Sequence, residues 1–431
     1  MTKPHDVLYN RVSWRLVPFL LLCFVVAYMD RVNIGFAKLQ MQADLGFSDT
    51  VYGVGAGIFF IAYFLFEVPS NLLMTRTGAR RWIARIMVSW GLISGAMMLV
   101  HSAASFYLLR FLLGLAEAGF FPGVILYLTY WYPAHRRARI VALFMSGVAL
   151  AGVIGGPLSG WIMTACAGWH GLAGWQWLFM LEGLPSVFIG IWTWFYLDDD
   201  IRSARWLPEP DKRTLELAIV AEADAKPNSS SSISAAFRDG RIWLLAFVYF
   251  AFVMGLYGIS FWLPQLIKNT GVRDVFDIGL LTTVPYGVAA VVMVLVARHS
   301  DRSGERRWHT AGAALAGAAG LVVSALYADN TVVALAALSV ATAGVLSTFP
   351  MFWSLPTALL SGTAAAAGIA LINSIGNLAG FVSPYLVGVI RDATHSTAMG
   401  LYLIAFSLVA GALLVLVAGA RNTTKRAPAT D

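Results

Sequence analysis

Five ionisable residues interrupt the apolar stretches of the first half of the chain: Asp30, Arg31, Glu67, Arg110 and Glu117. Such a residue inside a membrane span costs roughly 2.5–3.5 kcal/mol on insertion scales, so each is a functional candidate. The three carboxylates outnumber the two cations, and an unpaired carboxylate in a low dielectric tends to take up a proton. The cations can hold an anion at the same time. Coupled movement of a proton and an organic anion requires this combination.

The spacing of these residues predicts the helix faces on which they lie. Arg110 and Glu117 are seven residues apart, about two turns, and so share one face. Asp30 and Arg31 are adjacent and point about 100° apart, so one can face a central cavity while the other faces a neighbouring helix. The alternative is that these four residues form only interhelical salt bridges. For Glu67, the alternative is a hydrogen bond to backbone freed by the proline two residues later.

Polar and amphipathic residues also lie inside or at the ends of the apolar stretches, where they could hydrogen-bond the hydroxyl and carboxylate groups of a ligand. They are Tyr28, Asn33, Tyr63, Tyr257, Gln265, Trp353, Asn373 and Asn377. For any one of them alone, a contact with a neighbouring helix is the simpler interpretation. Asn373 is the exception, because it lies deep in a helix that should border the cavity.

The composition indicates which elements position these residues. Of 431 residues, 58% are hydrophobic and only 12% are charged, against about 25% charged residues in an ordinary soluble domain. The mean hydropathy is +0.71, which indicates an all-α membrane protein and excludes disorder. The only cysteines, Cys23 and Cys166, provide neither a disulfide framework nor a zinc site. GxxxxGK[ST], HExxH and GxSxG motifs do not occur, so we expect a protein that is not an enzyme and needs no metal or cofactor.

Apolar stretches long enough to span a bilayer recur along the whole sequence and predict twelve transmembrane helices. A polar segment divides them into two sets of six. The predicted organisation is an N-terminal bundle over 1–197, a linker over 198–241 with one helix near 211–225, a C-terminal bundle over 242–420 and a tail over 421–431.

Lysine and arginine cluster in alternate loops, in the linker and in the tail. By the positive-inside rule, both termini and the linker lie in the cytoplasm, as in a multi-pass protein of a bacterial-type inner membrane. The net charge of +7 is therefore explained by topology. We expect a lipid bilayer, a small organic anion and protons as partners, no nucleic acid, and a monomer.

An internal repeat relates the two sets of helices. Gly78 recurs as Gly304 at an offset of 226, and Pro157 recurs as Pro384 at an offset of 227. Two related six-helix halves are typical of transporters that bind substrate near mid-membrane between the halves.

Two basic turns, NLLMTRTGARR over 71–81 and ARHSDRSGERR over 297–307, are repeat copies of each other. Their basic residues fix topology and can stabilise one conformer by pairing with helix ends. We expect a gating and structural role for Arg76, Gly78, Arg80, Arg81, Asp301, Arg302, Gly304, Arg306 and Arg307. The GVIGGPLSG segment over 152–160 indicates close helix packing.

Longer motifs carry a family resemblance. YMDRVN over 28–33, GARRW over 78–82, LRFLLGLAEAGFFPG over 109–123, GWQWLFMLEGLP over 174–185 and NSIGNLAGFVSPYLVG over 373–388 together resemble the anion:cation symporter family of the major facilitator superfamily. The closest branch includes tartrate, phthalate, hydroxyphenylacetate and galactonate transporters. The resemblance implies uptake of an organic anion driven by the proton gradient. It also implies that Asp30 and Glu117 are protonation sites, that Arg31 and Arg110 balance charge and bind the anion, and that Asn373 contacts substrate.

Two departures from the family pattern leave other functions open. The first basic turn has Asn71 and Thr75 where the superfamily usually has Gly and Asp, and only the second copy keeps an acid, Asp301. The segment over 152–160 nearly matches an antiporter motif, with Trp161 replacing its last glycine. A facilitator, an exchanger or an exporter on the same fold is therefore the first alternative, and a transporter-like sensor that binds a ligand without moving it is the second.

Overall fold

The computed structural model describes residues 4–224, 238–353, 355–356 and 362–423. Lipid offers no hydrogen bonds to the backbone, so apolar segments of this length fold as helices that satisfy their own N–H and C=O groups. The α-helices are Pro4–Val32 (α1), Ile34–Leu45 (α2), Asp49–Thr77 (α3), Ala79–Ala96 (α4), Ala103–Glu117 (α5), Phe120–Trp131 (α6), Ala134–Met145 (α7), Gly147–Ala165 (α8), Gly174–Tyr196 (α9), Glu209–Asp224 (α10), Gly240–Asn269 (α11), Val275–Ser303 (α12), Arg307–Leu326 (α13), Thr331–Phe352 (α14), Gly362–Thr394 (α15) and Ala398–Thr423 (α16).

Within the described residues, twelve helical segments are long and apolar enough to cross a membrane, which confirms the predicted number. The predicted linker helix near 211–225 corresponds to α10. The predicted start of the linker at 198 lies just after the end of α9 at Tyr196, and its predicted end at 241 lies just inside α11, which begins at Gly240. Part of the linker, the end of the tenth predicted span and most of the tail lie outside the described residues.

Polar caps define where several spans begin. Ser48, Ser102, Asp274 and Asn330 each accept a hydrogen bond from a backbone N–H three residues later, at 3.2, 3.3, 3.0 and 3.1 Å. A cap of this kind satisfies an N–H that has no partner inside the helix. The first residue of each of these helices is therefore set by the local sequence.

The fourth predicted span is not one continuous helix, because it breaks between α5 and α6 directly after Glu117. Gly119 has φ of +87°, a left-handed conformation that glycine adopts without steric strain. A Cβ at this position would overlap the side chain of Ser70 on α3. The break thus lets α3 approach closely and leaves Glu117 at a helix end.

The two halves, α1–α9 and α11–α16, meet along three helix pairs: α3 with α15, α8 with α12, and α2 with α11. Glycines permit the close approach. A Cβ at Gly53 would overlap the backbone of Pro384, and one at Gly156 would overlap Thr282. The glycine segment over 152–160 therefore packs against a helix of the opposite half, as small residues do in membrane interfaces.

Charged side chains also join the halves at one end of the molecule, where α2 meets α3 and where α11 and α15 end. We call this end the closed end. Asp49 forms an ion pair with Lys38 Nζ and accepts a hydrogen bond from Arg391 Nη1, with both N–O distances at 2.7 Å. Lys38 is fully buried, and its Nζ lies 3.3 Å from the ring centroid of Trp262. Asp392 accepts from the backbone N–H of Asp49 at 3.0 Å. Because one crossing separates this end from the N-terminus, it lies opposite the end that carries the linker.

Candidate functional site

Arg31 is the centre of the polar groups between the halves. One guanidinium nitrogen forms a salt bridge with Glu117, and another donates to the Tyr257 hydroxyl of the second half at 3.0 Å. The guanidinium also lies over the rings of Phe59 and Tyr63, with centroid distances of 5.2 and 5.4 Å. Aromatic faces attract a cation in this geometry. Arg31 is therefore balanced by a carboxylate of its own half and contacts the opposite half through a neutral group.

Glu117 is only 1% exposed. It is the last residue of α5, so the helix break positions its carboxylate toward α1 rather than along the helix. A buried carboxylate is expensive unless it is paired or protonated. Its charge state is thus tied to whether Arg31 remains its partner.

Asp30 points away from Arg31, as their angular separation predicts. Its carboxylate accepts from Trp90 Nε1 at 2.8 Å, from the Ser94 hydroxyl at 3.0 Å and from the Ser186 hydroxyl at 2.5 Å. These donors lie on α4 and α9, so Asp30 is enclosed by the first half. Neutral donors alone stabilise it in the described structure, which shows no salt bridge to this residue.

Arg110 is fully buried and turns toward α3. Its Nε donates to the backbone carbonyl of Gly55 at 3.0 Å, and its Nη2 donates to that of Ala56 at 3.1 Å. Its guanidinium lies 5.3 Å from the centroid of Phe59, the ring that also borders Arg31. In this conformation Arg110 ties α5 to α3, and its predicted contact with an anion stays a prediction.

Glu67 crosses between the halves. Its Oε1 accepts from Asn373 Nδ2 at 3.0 Å, and its Oε2 accepts from Asn377 Nδ2 at 3.3 Å. The alternative in which Glu67 hydrogen-bonds freed backbone is wrong for its carboxylate. It is the Asn71 side chain that donates to the Glu67 backbone carbonyl, at 3.1 Å. Three predicted site residues therefore form one carboxylate–amide cluster.

The remaining candidates are more widely spread. Tyr28 shares a hydrogen bond with Ser260 of the second half at 3.1 Å. Asn33 is buried beside a small cavity between α1, α8, α11 and α12. Gln265 donates to a neighbour on α11 near the closed end. Trp353 packs on Tyr249 with a centroid distance of 4.9 Å. These residues are not gathered around Arg31.

Comparison with known proteins identifies the family. The profile of the Major Facilitator Superfamily matches residues 20–384. The chain belongs to this superfamily. A protein of Agrobacterium vitis named "Putative tartrate transporter" is 50% identical over 416 residues, which cover 96% of this chain and 92% of that protein. A "Quinolone resistance transporter" of Acinetobacter baumannii is 42% identical over 422 residues, covering 98% and 96%.

The solved structures support the same fold. The partially occluded, inward-open xylose transporter XylE of E. coli superposes with a TM-score of 0.73 at 14% identity, covering 94% of this chain and 97% of that one. The resemblance inferred from the motifs is thus confirmed, and the chain is a transporter of the major facilitator class rather than an enzyme. Its twelve candidate spans and bacterial relatives indicate a multi-pass inner-membrane protein with a small-molecule substrate.

Two buried charges of this transporter escaped the sequence analysis, so the count of five is wrong. Glu182 on α9 is 4% exposed and accepts from the Ser159 hydroxyl at 2.7 Å. It stands inside the GWQWLFMLEGLP motif, and a simple count of charges would have found it. Lys38 lies on α2, which continues the first span, and it is buried at the closed end.

The two basic turns of the transporter differ. In the first, Gly78 has φ of +92°, and the backbone N–H of Arg80 donates to Asp199 at 2.9 Å. In the second, Gly304 has φ of +67°, and Arg306 pairs with Asp301 at 2.6 Å. Exposed arginines flank both turns, namely Arg76, Arg81 and Arg302, while Arg307 is half-buried. Both glycines stand in the left-handed region, which explains why each copy has glycine there.

Proposed function

We propose that the protein imports a small organic anion together with protons by alternating access. The observation that carries this proposal is the Arg31–Glu117 salt bridge, which lies between the halves and contacts Tyr257 of the second half. A cation at this place can bind a substrate carboxylate. Arg31 can bind a substrate carboxylate only when the Glu117 carboxylate no longer pairs with it.

Protonation of Glu117 allows a substrate carboxylate to replace Glu117 as the partner of Arg31. The proton binds the Glu117 carboxylate, its negative charge is lost, and the Arg31 guanidinium becomes available to a substrate carboxylate. Substrate and proton therefore favour one another, because each removes the penalty of leaving a buried charge without a partner. Asp30 is the second proposed protonation site, and its setting of neutral donors within the first half supports that role.

Topology supports one orientation of the transporter in the membrane. Clusters of basic residues support a cytoplasmic location for both termini and the linker. The closed end then faces the outside.

The substrate is proposed to be a hydroxy acid, a sugar acid or an aromatic carboxylate. The Agrobacterium vitis relative named for tartrate supports a hydroxy acid. The aromatic residues around Arg31 support either a polyhydroxylated chain or a ring. Phe59, Tyr63 and Tyr257 offer apolar ring faces, and the two tyrosines also carry hydroxyls that can hydrogen-bond.

Purified protein in proteoliposomes with an imposed pH gradient tests the proposal. We expect accumulation of hydroxy acids, sugar acids or aromatic acids when the outside is acidic, together with alkalinisation of the outer medium. Collapse of the gradient with a protonophore should abolish accumulation. Uptake that neither follows the gradient nor moves protons would contradict symport.

The same experiment addresses the second candidate, an exchanger or exporter. The Acinetobacter baumannii relative named for quinolone resistance and the glycine segment over 152–160 favour it. An exchanger would accumulate labelled substrate only against a preloaded unlabelled one, with or without a pH gradient.

A further inference from the structure

We propose, on the basis of the proposed function, that Glu67 is an internal ligand of the substrate site and that the substrate class is a dicarboxylic acid. Glu117 occupies the Arg31 donors and Glu67 occupies the amides of Asn373 and Asn377. The two carboxylates of a substrate would take these two sets of donors. Both glutamates must then be neutralised, so a dicarboxylate binds with two protons.

The Glu67 contacts resemble those of a bound carboxylate. Asn373 and Asn377 are one turn apart on α15 and donate to different oxygens of Glu67, at 3.0 and 3.3 Å. Side chains four residues apart on a helix face the same side, so they present two amide donors in a fixed pair. The carboxylate is mostly buried, and within the described residues it has no salt bridge. Two neutral donors on the opposite half are its partners.

The two sets of donors are neighbours. Tyr63 and Glu67 are four residues apart on α3 and so lie one turn apart on one face. The Tyr63 ring lies 5.4 Å from the Arg31 guanidinium. A small molecule beside Tyr63 can therefore approach the cation with one group and the amide pair with another.

Charge balance then selects the substrate. Glu67 and Glu117 are two fixed anions beside one partly exposed cation, Arg31, while Arg110 is engaged with α3 backbone. An added dianion would be repelled by both glutamates unless each takes up a proton. A monocarboxylate on Arg31 needs only the proton of Glu117. The number of protons bound should therefore equal the number of carboxylates on the substrate.

The exchange also bears on the movement of the halves. The hydrogen bonds of Glu67 connect α3 to α15 across the interface. A ligand shifts a conformational equilibrium only through a difference in its contacts between the states. Replacing Glu67 by a diffusible carboxylate changes a contact between the halves, so the site that recognises the substrate is also one that holds the halves together.

A matched pair of probes tests the inference. L-tartrate and L-threonate have the same dihydroxylated four-carbon chain, and threonate carries a hydroxymethyl group in place of one carboxylate. Calorimetric titrations of the protein in nanodiscs, in buffers of different ionisation enthalpy, give the number of protons taken up with each. We expect two protons with tartrate and one with threonate at alkaline pH.

Glu67→Gln should lower the proton number for tartrate by one and leave that for threonate unchanged. At alkaline pH, the affinity of the wild-type protein for tartrate should fall about 100-fold per pH unit, because two protons are required. In Glu67→Gln it should fall only about tenfold per pH unit, because one proton is required. Glu182→Gln is the matched control, since Glu182 is equally buried but pairs with Ser159 in the first half. It should keep the wild-type proton numbers.

Equal proton numbers for tartrate and threonate in the wild-type protein would overturn the inference without any variant. So would a lack of tartrate binding, or a Glu67→Gln protein with an unchanged proton number for tartrate. These outcomes are distinct from failure of the proposed function. Proton-driven uptake of both acids with the same number of protons for each would uphold symport and reject the dicarboxylate inference, whereas loss of all gradient-driven uptake would reject symport.

Discussion

The two halves of the transporter contribute different chemistry to the surface they share. Among the described residues, every charged side chain that is buried belongs to the first half: Asp30, Lys38, Glu67, Arg110, Glu117 and Glu182. The second half contributes neutral groups, namely the hydroxyls of Tyr257 and Ser260 and the amides of Asn373 and Asn377. The repeat therefore duplicates the helices and not the charges.

This difference suggests how the halves can separate at moderate cost. The Arg31–Glu117 salt bridge is internal to the first half, so it can persist while the halves move. Near the middle of the molecule, the contacts that must break are hydrogen bonds to neutral partners, each worth about 0.5–1.5 kcal/mol net, or about 1.5–3 kcal/mol where one group is charged. Changes to first-half charges should therefore abolish binding or coupling, and changes to second-half groups should only weaken them.

The largest effect is expected for Arg31→Ala. Loss of the guanidinium leaves Glu117 buried without a cation and removes the donors for a substrate carboxylate. We expect anion affinity to fall about 100-fold, as for loss of a strong charge-assisted interaction of about 3 kcal/mol. Equilibrium binding of the transported anion measures this. Arg31→Lys keeps the charge without the planar fork and should retain part of the affinity. Wild-type affinity in the alanine variant would remove Arg31 from the site.

Glu117→Gln should come next. The neutral amide cannot exchange a proton, so accumulation driven by a pH gradient should be lost, by about tenfold or more. Exchange of labelled for unlabelled substrate at equal concentration should continue, because Arg31 no longer has a competing carboxylate. Proteoliposome uptake and counterflow separate the two activities, and Glu182→Gln is the control. Normal gradient-driven accumulation would show that Glu117 does not carry the proton.

Asp30→Asn should also abolish gradient-driven accumulation, while anion affinity stays within about twofold, because Asp30 does not face the second half. Trp90, Ser94 and Ser186 all donate hydrogen bonds to the Asp30 carboxylate. The NH₂ group of the introduced asparagine is itself a donor, so it would face at least one of these donors without an acceptor. A buried donor without an acceptor costs about 1–3 kcal/mol. A lower thermal unfolding temperature should accompany the defect. Unaltered accumulation would restrict Asp30 to a structural role.

The number of spans was predictable because a bilayer leaves no choice but continuous apolar helices. The different directions of Asp30 and Arg31, about 100° apart, were predictable from the helical angle alone. The break after Glu117 was not, because the residues on both sides of Gly119 are as apolar as those of an unbroken span. The close packing at Gly119 involves Ser70, which belongs to another helix, and a Cβ at Gly119 would overlap it.

Contacts between the halves were also beyond the sequence. The pairing of Glu67 with Asn373 and Asn377 joins residues 306 and 310 positions apart, and it depends on how α3 docks on α15. The burial of Lys38 was not predictable either, because it depends on α2 extending the first span to Leu45. The apolar composition of the sequence predicts the helices well, but it predicts poorly how the helices rotate and dock against one another.

Tyr257→Phe tests the neutral side of the comparison. The phenol accepts from Arg31 at 3.0 Å, and its removal keeps the ring packed on Phe60 and Phe261. A hydrogen bond of about 1 kcal/mol corresponds to about a fivefold loss of anion affinity. Binding isotherms at constant pH measure it. A loss as large as that of Arg31→Ala would mean that the second half contributes as much to anion binding as the charges do.

Arg391→Gln should have the smallest effect, and it concerns the place where a second-half charge does cross the interface. Arg391 is partly exposed and shares Asp49 with Lys38, so Asp49 keeps one cation when Arg391 is neutralised. A pair of this kind contributes about 0.2–1 kcal/mol, so the closed end should open up to about fivefold more often. Spin labels on the loops beside α3 and α15 can report the distance across that end. Because the pair is exposed to screening, the difference from wild type should shrink at high salt. If the distance across the closed end is the same in Arg391→Gln and wild type, Arg391 does not stabilise that end. Lys38 and the glycine contacts of α3 and α8 would then hold it closed.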